Sequence, residues 1–507
     1  MKKYAIIILS FFLCFTGRAQ VLEEYIGTRD LSEVALDVKG LKDGGSVMVG
    51  YITRLKDGKY DYRQSDMLIT RVDASGNVVW CKRMGIEGLA DKLVRVVVAR
   101  NGDFIAIGHA GLVPYFETGT AVGYAAIIRF DAATGNPIWQ RYVRSTTSHN
   151  DPKGDVYEDV VELDDEQICA VGVRDFQPAY ADGMITLFDP AGNVVWHRVV
   201  TGGGSSGFYA VTQHDNRIFT GGIFQGYSYY DMHIAEFDVA ANPIWSNRYE
   251  YSVFNPYLGY NIDNDWVAEM HVVEKELKVS TNTTDAWTST VNMGGILSLD
   301  INGGGVFGLH MFNDVPSPHT NLGAVEYVNN NDAYYVINPA SNLIDPVYPS
   351  PWGSVVNLSD PVFTNIDPNS PGLMGTRQFL MNGAQYISGE DIFADNIHYA
   401  GLGVDDPMQI GQHDILYLKT QINLPSPDET RCPLIEPKME IQSPEVPAED
   451  YRMEMEEKIE LRDIYLKPID VDVAVVPVCQ GAPCHVDDIK YCGSLAAPTT
   501  YDFSRVT

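Results

Sequence analysis

Positive charge is scarce in this sequence. Across 507 residues, 36 Lys and Arg face 67 Asp and Glu, a formal net charge of −31. Nucleic acids and anionic lipid surfaces are held through Lys and Arg that displace counterions from phosphate, so a chain this acidic is expected to bind neither. Beyond the N-terminus no stretch is long and apolar enough for a helical membrane span. Reactive-site signatures are missing too. The 11 histidines include no His-Glu-x-x-His pair, and there is no Gly-x-Ser-x-Gly elbow. The Gly-Gly-Gly stretches at 202–204 and 303–305 lack the Lys-Ser/Thr of a phosphate loop and read as turns. These absences set aside zinc peptidases, α/β-hydrolases and P-loop enzymes.

Cysteine is sparse: seven residues, none adjacent to another. Cys81 and Cys169 stand alone in strand-like surroundings, whereas Cys432, Cys479, Cys484 and Cys492 gather near the end. In an exported chain these four are disulfide candidates, with three connectivities that sequence does not separate. The alternative is a zinc site from Cys479, Cys484, His485 and Cys492, although that spacing is unlike the tight structural ones.

What is present begins with an export signal. Lys2 and Lys3 precede the apolar run YAIIILSFFLCF (4–15), and Gly17 and Ala19 supply small residues suited to cleavage after Ala19. A short membrane anchor is the alternative, but the run is brief for a span. Cys14 follows Phe12-Leu13 rather than the small residue of a lipoprotein signal. The expectation is a secreted or cell-surface protein, with a charge of −34 once Lys2, Lys3 and Arg18 are gone.

One phrase recurs. FDAATGNPIW (130–139) returns as VDASGNVVW (72–80), FDPAGNVVW (188–196) and FDVAANPIW (237–245), with an echo in LDINGGGVF (299–307). Its aspartates are Asp73, Asp131, Asp189, Asp238 and Asp300, and continued spacing lands on Asp360 and then Gln421. Upstream of each lies an apolar run, in the first four units with a late glycine, such as GDFIAIGHA (102–110) or EQICAVGVR (166–174), and before that another apolar stretch. Four short strands per unit, repeated with a period near 58, make the blades of a β-propeller. In the turn, Asp bonds its own backbone ahead while Gly accepts a positive φ. Trp80, Trp139, Trp196 and Trp245 then sit at one place in four successive units and read as structural packing pieces that give their N–H to a neighbour. The seventh unit lacks a fourth strand, and VLEEYIGT (21–28) is the expected replacement, closing the ring.

The phrase resembles the tryptophan-docking repeat of quinoprotein-like propellers of the secreted bacterial type, over residues 21–422. That resemblance implies the fold. In the alcohol dehydrogenases of that group it would also imply pyrroloquinoline quinone, calcium and an adjacent Cys-Cys pair, and this chain has no such pair.

The reading is therefore an all-β chain: signal peptide 1–19, a seven-bladed β-propeller closed by an N-terminal strand over 20–423, a Pro/Glu-rich acidic linker over 424–470, and a small cysteine-containing β segment over 471–507. Within the linker, EDYRMEMEEKIELRDIYL also suits a short helix. No cofactor is expected. Calcium is possible, with weak candidates Asp151, Asp155 and Asp159 in one loop and Asp263 and Asp265 in another. Aromatic loops supply candidate contacts for a protein or glycan: Tyr229 and Tyr230; Tyr251, Phe254, Tyr257 and Tyr260; and Trp352. The function expected is non-catalytic binding or scaffolding at the cell surface. The alternative is a channel-centred enzyme of quinoprotein or lyase type.

Overall fold

The computed structural model describes the chain from Leu22 to Pro477 apart from connecting stretches, the longest being 316–324, 338–361, 404–413 and 422–433. The signal peptide, Asp151, Tyr229, Tyr257, Asp263, Trp352, Cys432, Cys479, Cys484 and Cys492 lie outside the described residues. Among those described there is no helix.

Antiparallel meanders of four strands follow one another along residues 31–84, 90–145, 156–201, 206–249 and 264–315. A further one spans 385–421, where three strands are completed by the N-terminal strand Leu22–Gly27, with Tyr25 opposite Leu416. Between them, residues 325–379 contribute two hairpins. This is an all-β, propeller-like architecture.

Burial follows position within a meander. The second strand of the third meander, Ile168–Arg174, is buried along its whole length, and its β-branched residues suit a strand covered on both faces. The fourth strand of the first meander, Val78–Met84, has its buried and half-exposed residues interspersed. Second strands also explain the late glycine of the upstream runs that carry one. The first strand is bulged opposite that glycine, as between Tyr157 and Asp159. A Cβ on Gly172 would lie 2.1 Å from the Val156 carbonyl oxygen, and one on Gly108 equally close to that of Lys92. At these two bulges only glycine fits, whereas the bulge of the fifth meander has Thr281 at the corresponding place.

Third strands shift register just before the repeated aspartate, as between Leu187 and Phe188 ahead of Asp189. In Val362–Asp367 the same shift falls between Asn365 and Ile366, just before Asp367; Asp360 lies outside the described residues.

The acidic tail differs from the sequence expectation. Residues 434–477 are a series of short strands laid antiparallel on the outer edge of one sheet after another. Leu434–Ile435 pairs with Gly372–Phe379 and Lys438–Gln442 with Val306–Val315. Ala448–Asp450 then pairs with Pro243–Tyr249, Glu454–Glu456 with Val194–Thr201, and Ile459–Arg462 with Pro137–Ser145. Ile469–Asp470 pairs with Val78–Met84, and Ala474–Pro477 with Leu22–Gly27. The segment read as a linker, or as a short helix, is a strap that visits the sheets in reverse chain order. Outer strands offer a row of open N–H and C=O groups, and satisfying them outweighs any local helical preference. Leu466 locks the strap further: its N–H and C=O bond the side chain of Gln140 at 3.0 and 2.8 Å.

Candidate functional site

The repeated turn is built alike in each unit. Asp73 accepts the N–H groups of Ser75 and Asn77 at 2.8 and 3.0 Å, and Asp238 those of Ala240 and Asn242 at 2.9 and 2.8 Å. Hydrogen bonds from the Asn77, Thr134 and Asn193 side chains, with such backbone N–H groups, hold the carboxyls of Asp73, Asp131 and Asp189 below the usual range. Against its burial, Asp238 is held low in the same way by Asn242. Each indole N–H reaches the turn of the following meander. Trp80 donates to Ala132 O at 3.1 Å, Trp139 to Pro190 O at 3.2 Å, Trp196 to Val239 O at 2.9 Å and Trp245 to Ile301 O at 3.3 Å. The ring lies on the turn glycine: a Cβ on Gly135 or Gly192 would stand 2.7 Å from Trp80 or Trp139. The second to fourth copies of the phrase both insert a tryptophan and receive one, whereas the first turn glycine, Gly76, faces Leu22 and the fifth copy receives Trp245. Phe307, lacking an N–H, is 61% exposed.

A second set of charged residues converges where the first strands of successive meanders pack on one another. Each of these strands has its bulge, and the residues just past it are Asp37, Arg95, Asp159, Ala210, Glu269 and Gly389. Asp37 accepts the Val96 N–H at 2.8 Å, Asp159 the Val211 N–H at 2.7 Å, and Asp391 the Gly40 N–H at 2.6 Å. Every one of these bonds crosses to the next meander, so the carboxylates act as staples between sheets. Burial raises the Asp37 carboxyl, against the charges of Lys39 and Arg95. Burial likewise lifts Asp159 to about 6, opposed by Arg95. Glu269 goes the other way. Burial would raise it, but His271, 3.6 Å away, holds it low with help from Arg95 and Lys39. Charges from the first, second and fifth meanders thus feel one another across the centre. Carboxyls displaced in opposite directions are the raw material of acid–base chemistry. Of this cluster the sequence reading singled out Asp159 alone, as a cation ligand. The signal that reveals the rest is recurrence of a charged residue one repeat apart, at 37, 95, 159 and 269.

A third set lies at the beginning of the first strands. Asp91 accepts the Ile86 and Gly111 N–H groups, both at 2.6 Å, and burial lifts its carboxyl to about 7. Glu33 accepts from the Thr28 hydroxyl at 2.7 Å, and burial, with Asp414 adding, takes it to about 8. Asp155 and Asp265 occupy the corresponding places and are buried, Asp265 accepting the Tyr251 N–H at 3.3 Å. These two calcium candidates therefore stand apart on different sheets as interior anchors, and no group of three metal-binding side chains forms among the described residues.

Tyr251 also requires correction as a surface contact. It is 2% exposed, and its hydroxyl meets that of Thr281 at 2.9 Å inside the core. Tyr230 is half-buried at the start of its strand. Phe254 and Tyr260 lie on a small hairpin, Val253–Asn255 with Tyr260–Ile262. Three buried histidines are neutral hydrogen-bonding pieces: His197 with Thr186, His233 with Ser246 and His398 with Ser46, at 2.7–2.8 Å. Burial pushes the first two down to about 4 and His398 to about 3. Ser46 beside His398 resembles a nucleophile with its base, yet it is fully enclosed and no substrate reaches it.

On the face that carries the docking turns, a cleft of about 500 Å³ opens between the turns at 40–43, 97–102 and 391–393. It shares Lys39 and Asp391 with the central cluster.

No protein-family model and no curated protein sequence matches the chain. Solved structures do resemble it. Sqt1 of Chaetomium thermophilum is 10% identical with a TM-score of 0.38, covering 80% of this chain and 98% of its own. The polysaccharide lyase Uly1 is 10% identical with a TM-score of 0.43, covering 76% and 89%. A lignostilbene dioxygenase of Pseudomonas brassicacearum is 10% identical with a TM-score of 0.39, covering 83% and 90%. Nothing among them singles out the quinoprotein group. What this chain has in common with these β-propeller-like proteins is its all-β architecture.

Proposed function

We propose that this chain is an exported, seven-bladed β-propeller that serves as a non-catalytic binding or scaffold protein at the cell surface, with a protein or glycan as partner. In this reading the two hairpins of 325–379 make the sixth blade, and the N-terminal strand closes the seventh. The observation that carries it is the use made of the central carboxylates. Asp37, Asp159 and Asp391 each spend an oxygen on a backbone N–H of the next sheet. Groups placed where a channel enzyme keeps its reactive residues are here holding blades together. The strap supports the same role, since covering outer edges gives a rigid body suited to display.

A second reading, a channel-centred enzyme, draws on Asp159 near 6 and Glu269 held low by His271. Native mass spectrometry of the protein isolated from the cells that make it separates the two. Recovery with another polypeptide or a glycan is expected. A monomer carrying a stoichiometric organic cofactor overturns the scaffold reading.

A further inference from the structure

In the chain as a whole acids outnumber bases nearly two to one. In the cleft beside the docking turns the ratio is inverted: Lys39, Lys42, Arg71 and Arg100 line it against Asp43 and Asp391. We propose that this cleft is a binding site for a small organic anion carrying carboxylate groups. The inference goes beyond the scaffold reading and does not depend on it.

The cations are set in place rather than left loose. Arg71 bonds the Ala132 carbonyl at 2.8 Å and Asp43 at 2.6 Å, and Lys39 lies 3.4 Å from Asp391. Asp391 is in turn fixed by the Gly40 N–H. These pairs neutralise one another, and exposed Arg100 is itself paired with Asp164, so exposed Lys42 is the charge left over. Arg100 touches Asp164 through one nitrogen, and a guanidinium has further donors for a planar carboxylate. Leu41, Val98 and Phe393 add an apolar wall. A volume of about 500 Å³ lies within the range of small-molecule sites. Around it, a strongly negative protein repels anions, so one that binds here is selected by local pairing rather than drawn in by net charge.

The ligand class follows from these parts. The Lys42 ammonium, the remaining donors of Arg100 and an apolar wall match a molecule with a hydrocarbon body and at least one carboxylate, such as an acidic sugar or a polycarboxylic acid. A neutral sugar leaves the Lys42 charge unanswered, and inorganic phosphate leaves the wall uncovered.

Isothermal titration of the full mature chain with digalacturonate, citrate, inorganic phosphate and lactose tests this. Binding of digalacturonate or citrate, weakening as salt rises and falling at least tenfold in Lys42→Gln and in Arg100→Gln, is the expected result. Both substitutions are at exposed positions, and an unchanged thermal midpoint confirms that each variant is folded. Failure of both carboxylated probes to bind, equal binding of lactose, or binding unaffected by either substitution overturns the proposal. Tight binding of phosphate with no carboxylated probe binding does so as well.

Discussion

Ala241 sits in the fourth docking turn with a φ of +68°, where the second, third and fifth turns carry Gly135, Gly192 and Gly304. A Cβ in that region costs about 1 kcal/mol. Ala241→Gly is therefore expected to stabilise the protein by roughly 0.5–1 kcal/mol in urea unfolding. The reverse change, Gly135→Ala, combines the unfavourable φ with a Cβ 2.7 Å from the Trp80 ring, and is expected to cost about 2–4 kcal/mol in the same measurement. The residue pattern Asp, Gly, Trp was legible because turn chemistry and a bulky ring leave a strong local signature. Its partner was not, since nothing in one copy of the phrase says that its tryptophan lands on the next copy. The central acids were illegible for another reason. Asp37 and Glu269 matter through bulges, and a bulge leaves no composition signal of its own.

At the scale of elements, the strap is the feature the sequence concealed. Its strands pair through backbone groups alone, so they need no alternation of apolar side chains, and Glu-rich or Pro-rich sequence serves well on an edge. Composition of that kind reads equally as linker. A chain ending at residue 433 is expected to lose hydrogen-exchange protection along Val194–Thr201 and Pro137–Ser145, the strands that Glu454–Glu456 and Ile459–Arg462 cover. It should also aggregate at lower concentration than the full chain in light scattering, through the edges laid bare. Protection unchanged in the shortened chain would show that the strap contributes nothing to the edges. The missing helix has the same origin: an open strand beside the segment decided its conformation.

For the whole molecule, three interior acids set a pH dependence. Glu33 near 8, Asp91 near 7 and Asp159 near 6 all hold their protons more tightly when folded than when unfolded. Their contribution is complete below the unfolded values of about 4, and it is lost as pH climbs through the folded ones. Between pH 5 and 8 each titrating group removes up to about 1.4 kcal/mol per pH unit. His197 and His233, held at about 4 when folded, and His398, held at about 3, work the other way, their contribution being lost as pH falls below about 6.5. They offset the acids there, so the thermal midpoint is expected to be highest near pH 6 and to fall toward pH 8. Glu33→Gln should flatten the upper part of that slope, and a variant as steep as the parent between pH 6 and 8 would exclude Glu33 as its source.

The strand Leu22–Gly27 has a partner on either side: residues 415–419 on one, 474–477 on the other. Both partners are made hundreds of residues after it. During synthesis the first strand waits, unmatched along both margins, until nearly the entire chain has appeared, and contacts of such long sequence separation are the slow ones to form. The first of the described strands to emerge is in consequence expected to be among the last secured, and the last of the described strands is one of the two that secure it.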